Sequence, residues 1–138
     1  MPDFEMPYFV DGGGNKGYFK DSTAREQILN RIKKLPTQVT RYNFTAANTY
    51  QYTGVNVTCP TGHTYVVRVL MVYSNSEPKG IAASAKSTSM KLYELLDISE
   101  INNAITFMLM AGETAYIWGK GTTAAGNDIK VDIVDITN

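Results

Sequence analysis

The amino-acid sequence predicts an all-β domain, a sandwich or a barrel, preceded by a short arm and one helix. From Val39 onward, apolar residues recur at every second position in short runs separated by turn residues, a pattern typical of antiparallel strands. Before that point, apolar residues recur every three or four positions until Pro36, where a helix must stop. We therefore predict an arm and helix over residues 1–36 and a β-domain over residues 37–138.

The N-terminal arm holds two short apolar runs, Tyr8–Val10 and Gly17–Phe19, on either side of a glycine-rich segment. Glycine adopts positive φ angles without steric cost, so a loose hairpin or an extended arm is expected. A phosphate-binding loop is excluded. That motif needs Lys and then Ser or Thr after its last glycine, whereas Tyr18 follows Gly17.

A helix is predicted from Thr23 to Pro36. Thr23 and Glu26 have the spacing of a capping box. Three apolar residues at spacings of four and three form one stripe, namely Ile28, Ile32 and Leu35. A helix of about 13 residues is marginal on its own in water. Its stripe is therefore expected to pack on the β-domain of the same chain or on other copies of the chain.

Eight strands are predicted in the β-domain. They are Val39–Thr45, Thr49–Val57, Tyr65–Ser74, Gly80–Ser84, Leu92–Ile98, Ile105–Met110, Ala115–Gly119 and Ile129–Ile136. The run Leu92–Ile98 also suits a helical turn, because its leucines have helical spacing. The last run changes phase at Val134, which predicts a bulge or a change of strand partner.

The run from Tyr65 to Tyr73 is apolar at nearly every position on both faces. A strand with one solvated face should alternate, so the second face must be covered. The cover is a helix, a neighbouring subunit, or the second sheet with its loops. If a neighbouring subunit is the cover, we expect this strand to supply the oligomer contacts Val67, Val69 and Met71, in addition to those of the helical stripe.

The composition excludes several classes of partner and compartment. Thirteen basic residues balance thirteen acidic ones, so the overall field recruits neither nucleic acid nor an anionic membrane. Cys59 is the only cysteine, which rules out an internal disulfide. The first residues show no signal-peptide pattern, and no apolar run reaches the length of a membrane helix. We expect a soluble chain made in a cytosol.

Catalytic and metal-binding patterns are weak. His63 is the only histidine and forms a lone Cys-x-x-x-His pair with Cys59, whereas zinc needs about four ligands. A Cys–His nucleophilic pair would also need an orienting group and an oxyanion hole. The spacing of the carboxylates nominates no glycosidase pair. Asp128, Asp132 and Asp135 lack the loop pattern of a calcium site. No catalytic residue, cofactor or metal is predicted, and the chain is not expected to be an enzyme.

Aromatic residues are the remaining candidates for binding. Tyr116 and Trp118 lie on one face of a predicted strand. With Tyr73 and Tyr93 they would form a platform for stacking a sugar, because an aromatic ring packs on the apolar face of a pyranose. The competing interpretation is that Trp118 belongs to the core, since tryptophan is highly buried on average.

Two stretches of the sequence resemble parts of phage proteins. The stretch Tyr18–Ile28 resembles a hydrophobic-x-Lys-Asp-x-x-Ala-Arg-x-x-Ile cassette. That cassette occurs near the start of tail-fibre, head-fibre and other minor structural proteins of phages and prophages of Gram-positive gut bacteria. The stretches Pro60–Tyr65 and Ala111–Trp118 are similar to the jelly-roll-like heads of phage fibres, which are often trimeric.

The resemblance implies an antiparallel, jelly-roll-like β-sandwich in a non-enzymatic structural protein of a virion or prophage. It further implies a fibre head or decoration module, assembled in the bacterial cytoplasm as a homotrimer. Its partners would be other virion proteins and host-surface glycans, with no nucleic acid and no membrane. The alternatives are a stand-alone carbohydrate-binding module and a small cupin-like or lyase-type enzyme.

Overall fold

The chain divides into two compact units, residues 1–31 and residues 32–138. The computed structural model describes the backbone of residues 8–10, 16–18, 33–124 and 126–137, and the side chains of the last two ranges. In the first unit, β1 (Tyr8–Val10) pairs antiparallel with β2 (Lys16–Tyr18), with Phe9 opposite Gly17. The predicted hairpin is confirmed.

The second unit is a sandwich of two antiparallel sheets, as predicted. Its strands are β3 (Lys33–Lys34), β4 (Gln38–Asn43), β5 (Gln51–Thr58), β6 (Tyr65–Val72), β7 (Pro78–Ser84), β8 (Leu95–Ser99), β9 (Ala104–Leu109), β10 (Thr114–Gly121) and β11 (Gly126–Asp135). A short 3₁₀ turn, Leu92–Glu94, precedes β8. The run Leu92–Ile98 thus contains both the helical turn and the strand that its pattern allowed. Among the described residues, no helix is long and apolar enough to span a bilayer.

The strand order is that of a jelly roll. One sheet has the order β5-β10-β7-β8, and the other has β3 and β4 on one side of β11, followed by β6 and β9. β4 pairs with the first part of β11 and β3 with its last two residues, so β3 and β4 act as one interrupted edge strand. If β3 and β4 together are counted as strand 1, and β5 to β11 as strands 2 to 8, the two sheets have the orders 1-8-3-6 and 2-7-4-5. These are the two interlocked Greek keys of a jelly roll.

The core lies between the two sheets. Inward-facing side chains alternate with outward-facing ones along each strand, because successive residues of a strand point to opposite faces. The largest fully buried apolar side chains are Phe44, Val67, Val69, Met71, Ile81, Ile105, Leu109, Ile117, Ile129 and Val131. The sheets therefore bury a continuous apolar layer within one chain.

The two apolar faces of β6 have different surroundings. Val67, Val69 and Met71 are buried in the core of their own chain, so their side chains are not available as oligomer contacts. On the opposite face, Val66 is half-buried and lies beside Met108 of β9 and Val134 of β11. Neighbouring strands of the same sheet thus partly cover the second face.

The predicted helix is wrong at its C-terminal end. Lys33 and Lys34 form strand β3, paired with Val134 and Asp135. Leu35 is partly buried against the core, and its N–H donates to the Ile133 carbonyl at 2.9 Å. Ladder hydrogen bonds to β11 override the local helical preference here, since tertiary pairing routinely outweighs propensity. Residues 19–32, with the rest of the predicted helix and its contacts Ile28 and Ile32, lie outside the described residues.

The phase change predicted at Val134 does not produce a bulge. β11 pairs with β6 in continuous register from Asp128 to Asp135. Val134 points to the outer face, in step with the alternation of the strand. The partner on the other edge of β11 does change, from β4 to β3, so the second half of this prediction is confirmed.

Candidate functional site

The outer face of the β5-β10-β7-β8 sheet carries the aromatic residues that the sequence nominated on one strand. Ala115 and Ile117 of β10 point into the core and are fully buried. Tyr116 therefore points outward and is half-buried, and Trp118 follows it on the same face. The structure brings these two predicted residues together because residues two apart on a strand share a face.

A third ring, Tyr52 of β5, completes the cluster. Its centroid lies 5.7 Å from that of Tyr116 and 6.0 Å from that of Trp118. Its hydroxyl accepts a hydrogen bond from the Asn56 amide at 3.0 Å. Centroid distances of this size are typical of favourable aromatic pairs. The outer face thus offers two half-buried tyrosine rings with an amide beside them.

Tyr52 joins the cluster through an irregularity in the ladder. Tyr116 of β10 pairs with Asn56 of β5, and Trp118 pairs with Tyr52. Between these two pairs β10 advances by two residues and β5 by four. Gly54 lies within this stretch with φ +81°, a left-handed conformation that favours glycine. The isolated glycine within an apolar run was the available sequence signal for a bulge. Sequence reasoning missed Tyr52 because a bulge changes which residues face each other.

Trp118 is buried, so its ring is not exposed for stacking on a ligand. Its side chain is 9% exposed, and its indole N–H donates to the Lys86 carbonyl at 3.0 Å. Lys86 belongs to the loop of residues 85–91, so this loop lies against the ring. Ala82, opposite Trp118 on β7, is also fully buried although it belongs to the same outer face. The tryptophan therefore fixes the loop to the sheet.

A buried carboxylate fixes the same loop from its far end. Glu94 is 9% exposed, and its two oxygens accept hydrogen bonds from Lys86 Nζ at 3.1 Å and from Ser89 Oγ at 3.2 Å. The hydrogen bond from Lys86, with smaller help from Ser89, holds the pKa of Glu94 below its usual range. This carboxylate stays ionised and structural, because its charge is matched within the loop.

Replacing Trp118 with phenylalanine should loosen this loop. The variant keeps an aromatic ring but removes the indole N–H and part of the buried area, so we expect the unfolding free energy to fall by about 1–2 kcal/mol. Native-state tryptic cleavage after Lys86 should become faster by a larger factor than cleavage after Lys130 in β11, which reports global unfolding. An unchanged rate at Lys86 would show that the indole does not fix the loop.

Tyr73 and Tyr93 lie away from the aromatic cluster. Tyr93 is 78% exposed in the 3₁₀ turn, with Lys91 Nζ 5.8 Å from its ring centroid. Tyr73 is 64% exposed and follows β6 of the other sheet. Within residues 33–124 and 126–137, no ring contact joins either tyrosine to Tyr116 or Trp118. The four-residue platform is therefore not assembled as one surface.

The Cys59–His63 turn is organised by hydrogen bonds rather than by a thiol–imidazole contact. Cys59 is fully buried, its Sγ lies 3.2 Å from the backbone carbonyl of His63, and burial raises the pKa of the thiol. The His63 ring turns to β11, where its Nδ1 lies 2.7 Å from Asp135 Oδ2. The thiol is thus not activated by the imidazole.

The three carboxylates that the sequence analysis considered and set aside as calcium ligands have separate partners. Asp128 pairs with Arg41 at 2.5 Å, Asp132 accepts from Thr37 at 2.5 Å, and Asp135 binds the hydroxyl of Thr137. In the part of the chain that the structure describes, no three His, Cys, Asp or Glu side chains come together as a metal site would require. These residues tie β11 to its neighbours.

The contacts of Asp135 predict a loss of stability in acid. Hydrogen bonds, with the Thr137 hydroxyl first, hold the pKa of Asp135 below its usual range. Because the pKa of this carboxyl group is lower in the folded chain than in the unfolded chain, its ionisation stabilises the fold at pH values above the unfolded pKa of about 3.9. This stabilisation is lost as the pH falls through the folded pKa. Unfolding free energies measured from pH 6 to about pH 2 should therefore fall more steeply for the wild type than for Asp135→Asn. Parallel curves would contradict the prediction.

Comparisons with known proteins add a structural similarity. No protein-family model matches the sequence, and no curated protein matches it. One similar solved structure is described as "Bacillus endospore appendages form a novel family of disulfide-linked pili". It is 16% identical, with a TM-score of 0.42, over 77% of this chain and 88% of that chain. Functional conclusions accordingly rest on the residues of this chain itself.

Proposed function

We propose that this chain is a non-enzymatic structural protein of a phage or prophage particle, a fibre head or decoration module. The observation that carries the proposal is an eight-strand jelly roll that follows a separate N-terminal unit. Jelly rolls form many capsid and lectin domains. The support is an analogy between folds, together with the fibre-like cassette Tyr18–Ile28. In this scheme the first unit attaches the chain to the particle and the jelly roll is displayed.

We further propose that the displayed form is a homotrimer. The buried position of Val67, Val69 and Met71 moves the expected subunit contact away from β6. Large exposed apolar side chains instead gather on and around the edge strand β8, namely Leu92, Tyr93, Ile98 and Ile101. Clusters of exposed apolar residues commonly mark protein contacts, and among the described strands β8 has a ladder partner on one edge only. A second copy of the chain is the occupant that the homotrimer requires.

The mass in solution tests the trimer. Light scattering coupled to size-exclusion chromatography should give three times the chain mass of 15.3 kDa. Ile101→Asp should shift the mass toward the monomer, because it places a charge in the proposed contact. Ile32→Asp should do the same if the helical stripe also lies between subunits. Val39→Asp is the matched control, since Val39 is exposed on the edge strand β4 of the other sheet.

A monomeric wild type would overturn the trimer and favour the second candidate, a stand-alone carbohydrate-binding module. The observation in favour of that candidate is the outward pair of tyrosines, Tyr52 and Tyr116, with Asn56 beside them. Mass spectrometry of purified particles tests the virion location directly. Peptides of this chain should be present in intact particles and resist removal by washing.

A further inference from the structure

A depression lies at the end of the sandwich where the β6–β7 and β8–β9 connections meet. Its volume is about 390 Å³, and its walls are Tyr73, Glu77, Pro78 and Asn103. This volume falls within the usual range for small-molecule sites. Tyr73 was nominated from the sequence for sugar stacking, and the structure places it here and not beside Trp118.

Three side chains on the walls present unused binding groups. In the described ranges, no hydrogen bond or ion pair engages the Tyr73 hydroxyl, the Glu77 carboxylate or the Asn103 amide. Pro78 is buried and supplies an apolar floor. An aromatic ring, a carboxylate and an amide together can pack on the apolar face of a sugar and bind adjacent hydroxyls. Carboxylate and amide oxygens accept hydrogen bonds, and the amide nitrogen donates them.

A buried polar network fixes the loop that carries Tyr73 and Glu77. Asn127 of β11 is fully buried, and its amide nitrogen, in the orientation that satisfies its hydrogen bonds, donates to the Ser76 carbonyl at 2.7 Å and the Val72 carbonyl at 3.2 Å. Ser76 is 1% exposed, and its hydroxyl accepts from the Thr123 N–H at 3.1 Å.

The ends of this loop and the opposite wall are fixed as well. The Glu77 carbonyl accepts from the Thr122 N–H at 3.0 Å. Across the depression, Asn103 has φ +53°, and its carbonyl accepts from the Met71 N–H at 2.8 Å. Both walls are thus held in place before any ligand arrives. Preorganisation reduces the entropy that binding would otherwise cost.

We propose that this depression binds a neutral hexose or N-acetylhexosamine. The Tyr73 ring packs on the apolar face of the sugar, and Glu77 and Asn103 bind its hydroxyls. The negative charge of Glu77 disfavours anionic sugars. The sugar site rests on the proposed function in one respect only, because the displayed jelly roll is taken to contact a host glycan.

The test is an NMR titration of the full ¹⁵N-labelled chain with four separate probes. These are D-galactose, D-glucose, N-acetyl-D-glucosamine and, as the anionic contrast, N-acetylneuraminic acid. At least one neutral sugar should shift the amides of residues 73–77 and Asn103, with a Kd of about 1 mM, and the anionic sugar should not. No shift with any neutral sugar up to about ten times that Kd would overturn the proposal.

Variants locate the site. Tyr73→Ala should abolish the shifts, Tyr73→Phe should keep them, and Glu77→Gln should weaken binding about tenfold by removing a charge-assisted hydrogen bond. Tyr93→Ala removes an exposed tyrosine that does not line the depression, and it should leave the sugar-induced shifts of residues 73–77 unchanged. Binding lost in Tyr116→Ala but kept in Tyr73→Ala would overturn the proposal in favour of the outer face. Thermal unfolding of each variant confirms that it is folded.

The outcomes for this inference and for the proposed function are separable. A trimer that is found in particles but binds no neutral sugar would overturn the sugar site alone. A monomer that binds sugar through Tyr73 would keep the site, overturn the trimeric display module, and identify a carbohydrate-binding module.

Discussion

Replacing Phe44 with alanine is expected to lower the free energy of unfolding by about 3–5 kcal/mol, the largest effect that we predict. Phe44 is 2% exposed and lies edge-on to Tyr42, with ring centroids 5.2 Å apart. The ring packs against the main chain of β10 at Gly121, which has no side chain. A Cβ atom on Gly121 would lie only 2.5 Å from Phe44 Cε2 and would clash with the ring. Alanine would leave a cavity at the point where the two sheets close around this ring.

Denaturant unfolding followed by circular dichroism measures this loss. Val39→Ala is the control, because Val39 is an exposed apolar residue on β4 and should change stability by no more than about 0.5 kcal/mol. Gly121→Ala should also destabilise the fold, by about 1–3 kcal/mol, since the new methyl group overlaps the Phe44 ring. A Phe44→Ala loss below about 1 kcal/mol would mean that the ring is not packed as described.

Asn127→Leu is expected to cost about 2–4 kcal/mol, although leucine has a similar size and the site is buried. The variant removes both N–H donors of the amide, and with them the hydrogen bonds to the carbonyls of Ser76 and Val72. An unpaired buried polar group loses its hydration without compensation. We expect the main effect in the β6–β7 loop, which the Asn127 side chain joins to β11.

Hydrogen exchange distinguishes this local effect from a general loss of stability. Amides of residues 73–77 should lose more protection in Asn127→Leu than the amides of β10, whose exchange reports the global loss of stability. The exposed Asn102, changed to leucine, is the matched control. Asn127→Leu should also weaken sugar binding, although Asn127 does not line the depression. Unchanged stability and exchange would contradict the role given to this residue.

The strands were largely predictable because alternation is a local property. The run from Tyr65 predicted β6 with the correct start, and Ile105–Met110 differs from β9 by one residue at each end. The sharpest error was at Lys33 and Lys34, where the residues favoured a helix end. Their strand conformation depends on Val134 and Asp135, about a hundred residues later in the sequence. No local pattern carries that information.

The candidate sites were predictable only in part. Tyr116 and Trp118 share a face because they are two residues apart, but the bulge at Gly54 that brings Tyr52 to them depends on the pairing of β5 with β10. Asn127 lies between two predicted strands in the sequence, and only the folded structure shows that it is buried beside Ser76 and Val72. The partner of His63, Asp135, is likewise separated from it by most of the β-domain.

From the sequence alone one can predict that this chain forms short antiparallel strands, where most of them begin to within two residues, and which side chains alternate toward a core. Those properties follow from the two-residue period of a strand and the turn residues between strands. Long-range pairing in the folded chain sets the order of the strands, the strand conformation of Lys33–Lys34, and the separation of Tyr73 from Trp118. The physical reason is that strand pairing and burial depend on contacts between residues far apart in the chain, which a local pattern does not specify.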